Sequence, residues 1–182
     1  DIVGKGTENA SIAGGEWVAI QGRNFGLVQS KLDAVTYGPS TGTEYFASNC
    51  TIANDERLLC MMAPGIGTAL KWIVEVDGQI SELSTKSLTS YALPIAHSIY
   101  PATGDTNGGS VILVDGKNFG LEYPRSKIRV LFDGSAIPLD GLSTYSATAG
   151  QAQSLFYQCG LMECVRFVLP ELLDTTQKKT VT

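Results

Sequence analysis

Short apolar runs alternate along the chain with clusters of Gly, Pro, Asn and Asp, and no long segment carries apolar residues at helical spacing. This pattern predicts an all-β protein. Trp17-Val18-Ala19-Ile20 reads as a strand with Val18 and Ile20 on one face. Gly22 to Gly26 then turns the chain: Asn24 and Gly26 tolerate positive φ, and Phe25 tucks its ring beneath the turn. Ala34 to Tyr37 is the next strand, closed by Gly38-Pro39, and residues 39–49 read as a polar loop. Cys50-Thr51-Ile52 and Arg57 to Met62 form a hairpin across Ala53-Asn54-Asp55-Glu56. After the loop Ala63 to Gly67, Trp72 to Val76 alternates, Asp77-Gly78 makes a tight turn, and Gln79-Ile80-Ser81 returns. A last strand is predicted near Ser87 to Leu93, and no clear opening strand precedes Ser11. About seven short strands with regularly spaced turns predict an immunoglobulin-type β-sandwich.

The pattern then repeats. GGEWVAIQGRNFG, Gly14 to Gly26, returns as GGSVILVDGKNFG, Gly108 to Gly120, with six identical positions. Arg23 becomes Lys117, and Leu27 matches Leu121 just beyond. A period this long exceeds a solenoid unit, which runs to roughly 20–50 residues, so the repeat is a whole domain. The expected domains are 1–93 and 94–182. The second ends where the first is entering its Trp72-to-Val76 strand, so it is expected to lack its last strands, and the chain reads as a piece of a longer protein. The short link Tyr91-Ala92-Leu93-Pro94 predicts a fixed angle between the modules, because proline restricts the backbone.

Composition narrows the function classes. Of 182 residues, 43% are hydrophobic and 17% charged, which is globular. The net charge of −5 disfavours binding to a phosphate backbone, so no nucleic-acid partner is expected. No apolar run reaches the length of about 18 residues that a spanning helix needs, and no direct membrane insertion is expected of this segment. Four cysteines, Cys50, Cys60, Cys159 and Cys164, allow three pairings, of which the within-repeat one is the simplest. Asn9-Ala10-Ser11 and Asn49-Cys50-Thr51 fit N-glycan acceptor sites at Asn9 and Asn49. Together these features favour an extracellular or cell-surface location, as part of a longer protein. The cysteine spacings fit no usual zinc pattern, and the single histidine, His97, is far from every cysteine. Cys50 and Cys60 lie ten residues apart, too close for an antibody-type domain.

The chain resembles the IPT/TIG family of immunoglobulin-like domains. The resemblance rests on GGEWVAIQGRNFG, Val35 to Gly38, Cys50 and Cys60, Ala63 to Gly67, and Val74 to Gly78, all in the family's order. It rests equally on Pro94 to Pro101, GGSVILVDGKNFG and Val130 to Gly134 in the second copy. It implies two tandem immunoglobulin-like β-sandwiches of E-set type, in receptor and surface-protein contexts. In copy two, Cys159 and Cys164 lie closer together than their counterparts, and Pro170 lies further beyond its cysteine than Pro64 does.

No catalytic chemistry emerges. The loops Gly22-Arg23-Asn24-Phe25-Gly26 and Gly116-Lys117-Asn118-Phe119-Gly120 lack the Lys-Ser/Thr pair of a phosphate loop and read as structural turns. A Ser–His or Cys–His pair would have to use His97, which lies beside Ser98 in a predicted strand near the domain junction. Asp105-Thr106-Asn107-Gly108 offers oxygen ligands of the kind calcium prefers, and equally suits a polar turn. The strand after each Gly-Gly is apolar on both faces, so Trp17, Ala19, Val111 and Leu113 are candidate contacts with a neighbouring module or chain, or are buried beneath their own loops. The expected role is a non-enzymatic extracellular structural or adhesion module without cofactor, spacing or assembling a cell-surface protein or filament through protein contacts. The alternative is an accessory carbohydrate-binding or spacer module of a secreted carbohydrate-active enzyme, with Tyr45, Phe46 or Tyr123 against sugar rings. The DNA-contacting role of Rel-type relatives is disfavoured by the acidic balance.

Overall fold

The structure is a computed structural model that describes residues 1–86, 88–120, 129–132, 134–136, 143–145 and 163–169. The chain divides into two compact units, Asp1–Leu93 and Pro94–Thr182. Among the described residues the regular structure is strand, apart from one 3-10 turn at Gln29–Lys31.

The first unit has eight strands: β1 Ile2–Val3, β2 Trp17–Gln21, β3 Leu32–Gly38, β4 Tyr45–Phe46, β5 Ser48–Asn54, β6 Arg57–Met61, β7 Lys71–Val76 and β8 Gln79–Ile80. They form two antiparallel four-stranded sheets, ordered β1-β2-β6-β5 and β4-β3-β7-β8. This is the immunoglobulin arrangement, in which the first, second, fifth and fourth main strands share one sheet and the third, sixth and seventh share the other. Alternation along each strand sends Val18, Ile20, Leu58 and Cys60 inward from one sheet, and Val35, Tyr37, Trp72 and Val74 inward from the other.

The first sheet opens earlier than the sequence predicts. Residues 2–3 pair with Ala19 and Ile20, so an opening strand does precede Ser11. It is only two residues long, too short for periodicity to reveal. The predicted polar loop 39–49 also contains β4 and the start of β5. Tyr45 pairs with Tyr37 and turns its ring into the core, which sets the segment against β3 despite its polar neighbours. The predicted last strand near Ser87 to Leu93 is not continuous. Among the described residues only isolated bridges form there, Leu70 with Thr89 and Ala10 with Tyr91. Along the intervening edge of β7, the Ser81 and Ser84 hydroxyls accept the Val74 and Trp72 amides, at 3.0 and 2.9 Å. Side-chain oxygens here stand in for carbonyls that a regular strand would supply.

An aromatic cluster fills one end of the sandwich. Tyr37 stacks on Trp72 with centroids 4.2 Å apart, and Tyr45 packs against both Tyr37 and Tyr91. The buried hydroxyls form a closed circuit around Ala63. Its amide donates to the Tyr37 hydroxyl at 2.9 Å, Tyr91 donates to its carbonyl at 2.6 Å, and the two hydroxyls meet at 2.6 Å. Gly65 lies flat against the Tyr91 ring, where a Cβ would collide with it. Tyr45 in turn donates to the Ile66 carbonyl, and the Trp72 indole N–H to Thr89. The loop after β6 is thus held by tyrosines from other parts of the fold.

In the second unit, β9 Ile95–Tyr100, β10 Val111–Lys117, β13 Ser143–Tyr145 and β14 Glu163–Val168 form a sheet ordered β13-β14-β10-β9. β11 Leu131–Phe132 and β12 Ser135–Ala136 form a hairpin. Ile112, Val165, Phe167 and Leu169 are its buried centre. Tyr123, Cys159 and the stretch after Leu169, where the sequence predicts missing strands, lie outside the described residues.

Burial raises the Tyr37 hydroxyl above the ordinary tyrosine value of 10.0, against the opposing pull of its hydrogen bonds with Tyr91 and Ala63. Its contribution is therefore complete below that value and is lost as pH rises through the higher folded one. Tyr37→Phe leaves the Ala63 amide without its acceptor and is expected to destabilise the protein by about 1–3 kcal/mol in denaturant unfolding at neutral pH. A loss below about 0.5 kcal/mol would show that the circuit does not hold the loop.

Candidate functional site

The repeated glycine-bounded segment is the natural place to seek a site, and its geometry is structural in both copies. Asn24 and Asn118 both have φ of 62°, while Gly26 and Gly120 have 73° and 69°. A Cβ on Gly22 would meet the Phe25 ring at 2.5 Å, and one on Gly116 would meet the Phe119 ring at 2.6 Å. The glycine thus admits the phenylalanine beneath the turn, as the sequence predicts. The surrounding amides are already engaged: Gly22 and Phe25 donate to the Glu56 and Asp55 carbonyls, and Gly26 to the Asp55 carboxylate. These donors belong to the β5–β6 hairpin contact rather than to an anion.

The leading glycines repeat as closely. Gly14 and Gly108 have φ of 72° and 79°, and Gly15 and Gly109 have 83° and 77°. Gly15 donates to the Met62 carbonyl and Met62 to that of Glu16; Gly109 donates to the Leu169 carbonyl and Leu169 to that of Ser110. Met62 and Leu169 therefore occupy the same place. Counting back along each strand, Phe167 opposes Ile112 as Cys60 opposes Val18. The second unit puts a buried phenylalanine where the first has its core cysteine. Cys164 stands at the register position opposite Asp115, the counterpart of Arg57 opposite Gln21. This corrects the matching of Cys164 with Cys60, which order along the chain alone implied. Cys50 and Cys60 are bonded to each other across β5 and β6. Closing so short a loop stabilises the fold by roughly 2–3 kcal/mol through the unfolded chain.

The four candidate contact residues separate into two pairs. Trp17 and Val111, at matching positions, are exposed at 49% and 39%; Ala19 and Leu113, two residues on, are each only 5% exposed. Ala19 lies between Val3 and Leu59 on neighbouring strands, and Leu113 between Tyr100 and Arg166. These two positions are buried within their sheets, while Trp17 has Met61 beside it on β6 and forms one wall of a cleft with Val3, Gly4, Lys5 and Glu16.

Both sequon asparagines are exposed and lie in left-handed conformation, with φ of 54° at Asn9 and 49° at Asn49. Asn49 sits at an irregularity between Ser48 and Thr51 in the pairing of β5 with β6, and its side-chain amide donates to the Met61 sulfur at 3.1 Å. The edge of β5 just beyond is closed by Gln29, whose side chain donates to the Cys50 carbonyl and accepts the Ile52 amide. Such closure protects an edge strand from pairing with another chain.

The remaining candidates resolve simply. His97 and Ser98 are neighbours on β9 and point to opposite faces; the Ser98 hydroxyl donates to Asp115 instead. Asp105 accepts the Asn107 amide with its own carboxylate, which makes residues 105–108 a polar turn. Among the described residues no cluster of three His, Cys, Asp or Glu side chains could hold a metal ion. Tyr45 is committed to the core, whereas Phe46 is 70% exposed at the edge of its sheet.

With this geometry in hand, similarity to known proteins is informative. Residues 94–171 match the IPT/TIG domain family. The match lies within the second unit, whose sheet order recurs in the first. Among solved structures, the chain is similar to the plexin A4 full extracellular region, domains 1 to 10, at 13% sequence identity and a TM-score of 0.35. The similarity covers 97% of this chain and 13% of that one, so this chain spans a small part of that protein's length.

One titrating group stands out on the surface of the first unit. Slight burial would raise the Glu44 carboxyl, but the backbone amides of Thr41, Glu44, Thr43 and Ser40 outweigh it and hold the group below its ordinary value of 4.5. The amides of Ser40, Thr41 and Thr43 each lie 3.0 Å from its oxygens. The stabilisation is therefore present above pH 4.5 and is lost as pH falls through the lower folded value. In an NMR titration these three amides are expected to move together with a midpoint below 4.5, and Glu44→Gln is expected to abolish the transition. A midpoint at or above 4.5 would contradict the amide cradle.

Proposed function

We propose that the chain is a non-enzymatic extracellular segment of two tandem IPT/TIG modules that spaces or assembles a longer cell-surface protein or filament. The observation that carries this reading is the family match over 94–171, joined by the recurrence of the same glycine geometry and strand order in residues 1–93. The Cys50–Cys60 disulfide supports the oxidising location, since such bonds persist mainly outside the cytosol. Its partners on this reading are proteins, neighbouring modules among them.

The link between the units supports a spacer. Tyr91 is buried and bridges Ala10, and the Ala92 amide donates to the Ala10 carbonyl at 2.8 Å. β9 starts at Ile95, so Leu93 and Pro94 join the anchored end of the first unit to it. So short a link, with φ fixed at its proline, leaves little backbone freedom. Small-angle scattering of the full chain is expected to show a single well-defined maximum dimension. Inserting a Gly-Ser linker between Leu93 and Pro94 is expected to broaden the distance distribution, and an unchanged profile would contradict a stiff spacer.

Location is tested on native protein. Labelling intact source cells with a membrane-impermeant reagent is expected to tag the chain, with Cys50 and Cys60 resistant to alkylation until reduced. Free thiols and no label on intact cells would overturn the extracellular reading. The carbohydrate-binding alternative retains Phe46, the exposed member of its described aromatic pair; specific, Phe46-dependent signal on a glycan array would favour it.

A further inference from the structure

The most unusual surface of the first unit is the corner where an exposed indole, a thioether and a sequon asparagine converge. Trp17 and Met61 are direct cross-strand partners on the outer face of the β1-β2-β6-β5 sheet, and Ser48 is the next residue across. Core-facing Val18 and Cys60 fix this orientation, because alternate residues point to opposite faces. The pairing slips between Ser48 and Thr51, and within that slip Asn49 takes a left-handed conformation. Its amide nitrogen reaches the Met61 sulfur at 3.1 Å, which places the amide on the outer face beside the Trp17 row. The same asparagine begins the acceptor sequence Asn49-Cys50-Thr51.

We propose that Asn49 is an N-glycosylation site whose first sugar packs over Met61 and Trp17, so that the occupant of this apolar corner is the chain's own glycan. This rests on the extracellular reading above. The amide nitrogen carries two hydrogens. One is donated to the Met61 sulfur, and the other is the one a sugar replaces. The bond that forms joins Nδ2 to the anomeric carbon of an N-acetylhexosamine. The bond that breaks joins that carbon to the diphosphate of a polyprenyl-linked oligosaccharide donor. The diphosphate leaves with the electron pair, and the amide gives up one proton. No oxidant or reductant is needed.

The packing follows from the chemistry of the two surfaces. A pyranose has an apolar face of C–H groups and a polar rim. An indole half-exposed at 49% offers a flat apolar face with the same need for cover. A sugar fixed two strands away, on the far side of β6, covers it by reaching across Met61, without the entropy cost of capturing a free ligand. Asn9 is also exposed and begins a sequon, on a segment outside the β5–β6 corner, so it serves as the internal comparison.

The test uses the full chain behind a secretory signal in a glycosylating eukaryotic host, alongside Thr51→Ala and Asn49→Gln. Thr51→Ala removes the acceptor sequence and keeps the asparagine. Peptide mapping after enzymatic deglycosylation in heavy-oxygen water reads occupancy at each asparagine. Acrylamide quenching reads Trp17, since Trp72, the other tryptophan, is buried. Expected are occupancy at Asn49, its loss in both variants, and a quenching constant roughly twofold lower in the glycosylated protein than in Thr51→Ala. An unmodified Asn49 in secreted, disulfide-bonded protein would overturn the site. Occupancy with unchanged quenching would overturn the packing over Trp17. Because the signal supplies the compartment, either failure leaves the native location, read by surface labelling, untouched.

Discussion

The first unit depends on the hydrogen-bond circuit that joins the Tyr37 and Tyr91 hydroxyls to both backbone groups of Ala63. Tyr37 comes from the β4-β3-β7-β8 sheet, Ala63 follows the last strand of the other sheet, and Tyr91 sits at the chain's exit toward the second unit. One buried polar cluster therefore ties together both layers and the departing backbone. Each hydroxyl is satisfied, so its burial does not carry the cost of an unpaired group. Trp72 stacked on Tyr37 and Gly65 beneath Tyr91 hold the rings in place. The circuit thus anchors Tyr91, the residue from which the chain runs on to Pro94 and β9.

Polar side chains close the exposed strand edges of the first unit. Gln29 closes the β5 edge, and serine hydroxyls close gaps along β7. Ala19 and Leu113 are buried between strands on either side. Trp17 is left half-open, next to Met61 and within one contact of Asn49. It is a large indole on the outer face of a sheet, where antiparallel sheets commonly present polar residues.

The two copies share a scaffold but not every detail. The glycine-bounded turn has the same backbone angles and the same buried phenylalanine twice, because its constraint is local: a glycine must make room for a ring. The register position of Cys60 is not filled by a cysteine in the second unit. Hydrogen bonds at Met62 and Leu169 fix the register, and Phe167 fills the core site that Cys60 occupies in the first unit. A buried phenylalanine therefore stands in the second unit where the first has a bonded cysteine.

The amino-acid sequence alone determined the all-β class, the repeat, the core-facing residues Val18 and Ile20, the tight Asp77-Gly78 turn and the phenylalanine tucked under each Asn-Phe-Gly. Each depends on residues near one another in the chain, where strand alternation and the φ preferences of Asn and Gly act directly. Tertiary structure decided the rest: the short opening strand at residues 2–3, the turn of Tyr45 into the core, and the separation of Ala19 and Leu113 from Trp17 and Val111. It also decided that Cys164 stands in a different register from Cys60, and that Asn49 lies against Met61 beside Trp17. Those outcomes depend on which residues face each other across strands, and register is set by long-range pairing and bulges that local sequence does not encode.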